Sequence, residues 1–349
     1  MTGLLCNFRG DVQKLKQPIF LKPLFQERIW GGEKLNNTYG YQIPSSQTGE
    51  CWAISAHPNG QSVVASGYLA EKNLGELWEK QPELFGHFDS DRFPLLTKIL
   101  DANDDLSVQV HPNDEYAGEF ENGELGKTEC WYIIDCDENA EMIYGHHAQS
   151  KEEFIQLIEE GNWNGLLQRV KIKPGDFFYV PSGTLHALCK GTLVLETQQS
   201  SDTTYRVYDY NRPGQDGQPR ELHLNKAIEV TTVPHTAAKV EAAVAQTSGG
   251  SITTFVEEDY FTVYKWDIKN SLSLTQEAYF TLASVISGEG EIISEDTEYS
   301  IKSGDHFIIP NQMQSFTIRG NVQLIASHPN SKGGRQRDME STARQVANV

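Results

Sequence analysis

The chain is short of the groups that would tie it to a membrane, a nucleic acid or an oxidising compartment. Its 349 residues include five cysteines, Cys6, Cys51, Cys130, Cys136 and Cys189. The number is odd and no CxxC pair occurs, which argues against a disulfide framework and points to a reducing cytoplasm. No apolar run is long enough to span a bilayer, and residues 1–17 lack the apolar stretch of a secretory signal. Positive charge is scarce: 29 Lys and Arg stand against 48 Asp and Glu, a formal net charge of −19. Such a surface opposes nucleic acids and anionic membranes. Neither a Walker A loop nor a dinucleotide-binding glycine pattern after a strand is found, so no nucleotide coenzyme is expected.

The length suggests two domains, and 38% hydrophobic residues suffice for ordinary globular cores. Two distant segments fit one metal site. In Ser107-Val108-Gln109-Val110-His111-Pro112, a strand would point Gln109 and His111 to one side and the valines to the other. Lys127-Thr128-Glu129 follows. The second segment is Pro174-Gly175-Asp176-Phe177-Phe178-Tyr179-Val180-Pro181-Ser182-Gly183-Thr184-Leu185-His186. Gln109, His111, Glu129 and His186 form a mixed nitrogen and oxygen set suited to Zn2+ or a similar divalent ion with an open position. Cys130, the strand neighbour of Glu129, should face away. The spacing of the second segment resembles the second conserved motif of the cupin β-barrels.

Most of the chain from Pro18 reads as short strands and turns. Residues 74–85 read as a helix, with Leu74, Leu77, Trp78 and Leu84 on one side. A second helix begins after Ser150, where Ser150 and Glu153 have capping-box spacing. An internal repeat lies further on: Lys173-Pro-Gly-Asp-Phe-Phe-Tyr-Val-Pro181 matches Lys302-Ser-Gly-Asp-His-Phe-Ile-Ile-Pro310 at constant offset. Repetition implies a second barrel of the same type. Its site has diverged, because Ser315 occupies the place of His186, and His306 reads as structural. The expected class is mainly β: two cupin-type, jelly-roll barrels with a few covering helices. The expected organisation is an N-terminal arm (1–17), a metal-binding domain with helical insertions (18–235), a degenerate barrel (236–330) and a disordered tail (331–349). The segment 236–251 is expected to link the barrels.

Leu193, Val194 and Leu195 read as a strand delivering Glu196, and Arg206 follows in a polar stretch. With these, the chain resembles the type I mannose-6-phosphate isomerases in their shorter bacterial form. The residues carrying the resemblance include Leu21-Lys-Pro-Leu-Phe-Gln-Glu-Arg-Ile-Trp-Gly-Gly32, Gly49-Glu50-Cys51-Trp52, Ser55-Ala-His57-Pro-Asn-Gly60 and Phe93-Pro-Leu-Leu-Thr-Lys98. Gln109-Val-His111-Pro, Lys127-Thr-Glu129 and Ser201-Asp202-Thr-Thr-Tyr-Arg206 complete it.

The resemblance implies one Zn2+ per chain on Gln109, His111, Glu129 and His186, with Arg206 catalytic. The implied reaction moves a proton between C2 and C1 of an open-chain sugar phosphate through an enediol. Glu196 is the first choice of base, with metal-bound water its rival. Lys127 and Lys98 are candidates for holding phosphate or polarising sugar oxygens. His57 is a candidate for ring opening or, equally, for a turn hydrogen bond. Two other readings stay open at this point, a metal-dependent cupin oxygenase and a non-catalytic sugar-binding cupin. The expected partner is a small sugar phosphate, with no nucleic acid and no membrane, and the oligomeric state is left open.

Overall fold

Short apolar strands between Gly, Pro, Asn and Asp turns cannot bury themselves singly, so they collect into sheets. The computed structural model describes residues 15–330 apart from Gln215. It is mainly β, with few helices. Most of the expected arm and all of the tail lie outside the described residues. Packing divides the chain into two units. One comprises Pro23–Ala53 and Leu96–Glu241; the other comprises the described part of Met1–Lys22, Ile54–Leu95 and the described residues from Ala242 onward.

The first unit has two sheets. Its six-stranded sheet runs in the order Phe177–Val180, Glu129–Cys136, Thr192–Gln199, Leu95–Ala102, Thr48–Ile54, Leu24–Gly32. Its five-stranded sheet runs Leu167–Lys171, Glu141–His146, His186–Leu188, Val108–Val110, Tyr205–Tyr208. A core of buried residues including Leu100, Trp131, Met142, Val180 and Val194 draws on both sheets. Helix Lys151–Glu159 covers a second core by burying Phe154 and Ile158. Full burial of two such side chains contributes roughly 1.5–3 kcal/mol each. Ser150 caps that helix by accepting from the Glu153 amide at 3.2 Å. The Glu153 carboxylate reaches back to the amide of Gln149 rather than Ser150, so the box closes one residue early.

The other unit is built on a ten-stranded sheet whose centre is Phe261–Ile268, Ser315–Pro329, Thr281–Ser294 and His306–Ile309. Strand Ile19–Lys22 pairs with His306–Ile309, and Val63–Val64 pairs with Ile19–Lys22. Residues near the N-terminus therefore complete the C-terminal sheet, and the units do not follow the linear boundary at 235/236. Lys16, in the expected arm, ion-pairs with Glu295 at 2.6 Å.

Two local expectations are corrected. The helix expected over 74–85 breaks into an α-helix, Leu74–Lys80, and a 3-10 turn, Pro82–Phe85, because Pro82 lacks the amide hydrogen that would continue the ladder. The expected linker 236–251 contains the strand Ala243–Thr247, which pairs along Gly250–Glu257. Backbone pairing overrides its small, polar composition.

Candidate active site

Strand periodicity builds one wall of the site. Val108 and Val110 are wholly buried in the core beneath the helices, while Gln109 between them lines a cavity. Gln109 is the register partner of both His186 and Arg206 on the neighbouring strands. On the facing sheet, Glu129 and Trp131 share one face of their strand, and Glu196 pairs with Trp131. The loop before Glu129 is pinned from several sides. Asp114 accepts from the Gly126 amide at 2.8 Å and from the Gln199 side chain at 2.9 Å, and Gln199 accepts from the Thr128 amide at 2.9 Å. That mesh fixes where Lys127 stands.

His111, Glu129 and His186 converge, with one ligand atom from each lying within 4.8 Å of the others. All three are buried. The Nδ1 of His111 lies 2.9 Å from the Thr203 carbonyl and that of His186 lies 2.8 Å from the Thr184 carbonyl. A carbonyl only accepts, so each Nδ1 carries the proton and each Nε2 presents a lone pair. Those Nε2 atoms stand 3.6 and 3.3 Å from the Glu129 carboxylate. Neither Nε2 atom has a hydrogen-bond partner, and neither does Oε1 of Glu129. Orphaned buried acceptors facing one point are costly unless something cationic occupies it. Burial, then the charge of Lys127, holds His111 well below its ordinary range, and burial brings His186 down to about 4. Both are therefore neutral donors near pH 7, and the residues fit a divalent cation. Cys130 takes no part in the cluster.

From Glu129 a ladder of alternating charge crosses the six-stranded sheet. Lys127 Nζ is 2.9 Å from Glu129 and 4.0 Å from Glu196. Lys98 Nζ is 4.0 Å from Glu196 and 3.9 Å from Glu50. Arg28 then forks Glu50 at 2.8 and 3.1 Å. Burial and then Glu129 raise Glu196, against the pull of both lysines. Burial would raise Glu50 too, but Lys98 and Arg28 outweigh it and bring Glu50 to about 2. For Lys127, burial is outweighed by Glu129 and Glu196, which push it up. Trp131 Nε1 donates to Glu196 at 2.9 Å and Trp52 Nε1 to Glu50 at 2.6 Å, so both carboxylates are aimed.

The cavity of about 260 Å³ is lined by Lys98, Gln109, Lys127, Glu196 and Arg206, together with Arg28, Trp30, Glu50, Asp202 and Arg220. The expected catalytic residues Lys127, Glu196 and Arg206 thus share one cavity with Lys98 and Gln109, and Lys127 links it to Glu129 of the cluster. His57 is not among them. It belongs to the other unit, and its ring accepts from the Asn59 amide at 3.2 Å in a turn. Larger concavities of about 430 and 610 Å³ lie in that unit, but among the described residues the one metal-type cluster is His111, Glu129 and His186. The sequence reading missed Arg28, Glu50 and Arg220. A signal existed for Glu50: a charged residue two positions from Trp52 in a strand that is otherwise apolar.

Comparisons with known proteins agree with this geometry. Residues 19–135 match the family description "Phosphomannose isomerase type I, catalytic domain", and residues 251–329 match "Mannose-6-phosphate isomerase, cupin domain". Mannose-6-phosphate isomerase ManA of Bacillus subtilis is 57% identical over 312 residues, covering 89% of this chain and 99% of its own length. The mannose-6-phosphate isomerase of Streptococcus mutans is 52% identical over 316 residues, covering 90% and 99%. A crystal structure of a mannose 6-phosphate isomerase from Bacillus subtilis superposes with a TM-score of 0.88 at 59% identity, covering 89% of this chain and 99% of that one.

Proposed function

The chain belongs to the type I mannose-6-phosphate isomerases, and on that premise we propose that it interconverts mannose 6-phosphate and fructose 6-phosphate in the cavity above Glu129. The observation carrying the reading is the trio of buried, unpaired ligand atoms on His111, Glu129 and His186 beside a raised, buried Glu196. We assign one Zn2+ per chain to Gln109, His111, Glu129 and His186. Bound there, it supplies Lewis acidity to the sugar oxygens.

The remaining work falls to side chains. Glu196 is the base that carries the proton between C2 and C1, because burial lifts its carboxyl toward the working pH. Trp131 fixes its orientation. Lys127 donates toward an oxygen that gains negative charge, and Arg206 does so from the opposite sheet with a guanidinium that stays charged. Lys98 stands between Glu50 and Glu196 without a contact shorter than 3.9 Å to either, so its hydrogens remain available to substrate hydroxyls. No helix of the described residues is long and apolar enough to cross a membrane; we place the enzyme in the cytoplasm, where its four described thiols, all unpaired, are at home.

A coupled assay for fructose 6-phosphate from mannose 6-phosphate tests the reading. Turnover that disappears with chelator and returns with Zn2+ is expected. A folded, metal-replete protein without turnover overturns it.

A further inference from the structure

The cavity is asymmetric in charge. On the ladder side, Arg28, Lys98 and Lys127 are matched by Glu50, Glu196 and Glu129, and Asp202 adds a further negative charge that acts on Lys127. On the opposite side three guanidiniums gather around one buried carboxylate. Arg212 contacts Asp209 at 2.9 and 3.1 Å, and Arg220 contacts it at 2.7 Å through both Nε and Nη2. Arg206 is close enough that Arg220 and Arg212, after burial, depress its ionisation. Two further anions are nearby, both exposed: Asp104, 3.6 Å from Arg212, and Glu221, whose charge acts on Arg206. A bridge between Pro213 and Pro219 brings Arg212 and Arg220 to the same carboxylate. In a chain of net charge −19, holding three mutually repelling cations around one buried anion costs stability unless a ligand relieves it.

The hydrogen bonds of Arg220 identify its free edge. Asp209 occupies the Nε and Nη2 side. Nη1 and the second Nη2 hydrogen make no hydrogen bond among the described residues, and Arg220 is one of the residues that line the cavity. This end-on fork matches two oxygens of a phosphoryl group. Arg28, the rival at the far end of the ladder, spends Nη1 on the Glu27 carbonyl at 3.1 Å.

Given the isomerase reading, on which this rests, we propose that Arg220 is the phosphate-binding and specificity-determining residue, and that Asp209 is the positioning residue that presents its fork. The phosphoryl group then lies on the arginine side while C1 and C2 face Glu196.

Metal-loaded protein tests this by steady-state kinetics with mannose 6-phosphate and by inhibition with inorganic phosphate. Losing a charged, bidentate contact raises KM about 30- to 100-fold in Arg220→Gln, with kcat at saturation changed less than about 3-fold. The inhibition constant of inorganic phosphate rises in parallel. Arg220→Lys, which keeps the charge without the fork, recovers part of the loss. Asp209→Asn raises KM by roughly 10-fold through misplacement of the fork, and Arg28→Gln raises it less than Arg220→Gln. Retention of one metal equivalent verifies that each variant is folded. A fall in kcat at unchanged KM, or a larger KM effect from Arg28→Gln, overturns the assignment. Calorimetric binding of mannose 6-phosphate separates this from the isomerase reading. Weaker binding to Arg220→Gln than to wild type supports the phosphate site even if neither turns over, and equal binding rejects it even if both do.

Discussion

At 173–176 in one unit and 302–305 in the other, the same turn is built twice. Gly175 and Gly304 have φ of +92° and +90°. Asp176 accepts from the Lys173 amide at 3.0 Å, and Asp305 from the Lys302 amide at 2.8 Å. Both turns lock onto a neighbouring strand by a reciprocal pair, Gly175 with Asp176 on Ile133 and Gly304 with Asp305 on Val285. Beyond Pro181 and Pro310 the backbone repeats again, with Thr184 donating to Pro181 and Met313 to Pro310. Only the side chains part company. His186 is buried and Ser315 is exposed.

The pairing registers extend the comparison past that one residue. Val180 faces Glu129, and its counterpart Ile309 faces Thr281. His186 faces Gln109, and Ser315 faces Thr275. Glu196 faces Trp131, and the matching pair is Ala326 with Ala283. Two residues beyond Thr275, the place of His111 falls to the exposed Glu277. The second unit thus lacks counterparts for Gln109, Glu129, His186 and Glu196 together. A buried charge survives only with partners, so losing the metal removes the physical reason for keeping the rest.

The largest effect should come from removing from the first unit a ligand that the second lacks. His186→Ala is expected to lose the metal equivalent and on the order of 10³-fold or more in activity, whereas Ser315→Ala should change stability by less than about 0.5 kcal/mol. Elemental analysis of both variants checks this, and retained metal in His186→Ala breaks the comparison. Within the ligand set, Gln109→Ala should weaken metal binding less than Glu129→Ala, since a neutral amide oxygen is the poorer donor.

Next comes the chemistry alone. Glu196→Ala copies Ala326 and should lower kcat by about 10²–10⁴ with the metal retained. Arg206→Lys should lower kcat by roughly 10²–10³. A change confined to KM in Arg206→Lys would move that residue from the reacting oxygens to ground-state binding.

A smaller effect distinguishes the buried histidines. His306 donates or accepts at Ser284 over 2.9 Å, and burial brings it down to about 3. Its folded pKa lies below the unfolded value near 6.5, so the unfolded chain binds the extra proton between about pH 3 and 6.5. The stability it contributes is complete above pH 6.5 and is lost as pH falls through that window, at most about 5 kcal/mol in total. His306→Gln should flatten this part of the stability profile measured by urea unfolding at several pH values. An unchanged slope would place the acid sensitivity elsewhere.

The smallest effect tests what the two units share. Gly175→Ala and Gly304→Ala should each cost about 1–2 kcal/mol, because both need a backbone region that L residues enter with strain. Similar costs with unchanged metal content sharpen the view of one scaffold used twice; unequal costs would show that the turns carry different loads.

Much of the site is legible in the sequence. Gln109 and His111 are two apart in a strand, and His186 follows a turn whose Gly and Pro spacing is local. The break at Pro82 is legible too, because proline stops the helical ladder even where apolar periodicity runs through it. For His57 two readings stood level, because a histidine before Pro58-Asn59-Gly60 reads alike whether it faces a substrate or its own turn, and the structure takes the turn.

What the sequence determined by itself is therefore the repeat, the loss of His186 from the second copy and the local motifs that carry His111 and His186, since each rests on short-range spacing or on a constant offset. Only the tertiary structure decided that Arg28, Glu50, Lys98, Glu196 and Glu129 form one alternating row, and that Arg212 and Arg220 share Asp209. Strand order in a sheet is a long-range choice, made by which apolar faces pack together. Charges 22, 48 and 98 positions apart in the chain become neighbours only after that choice.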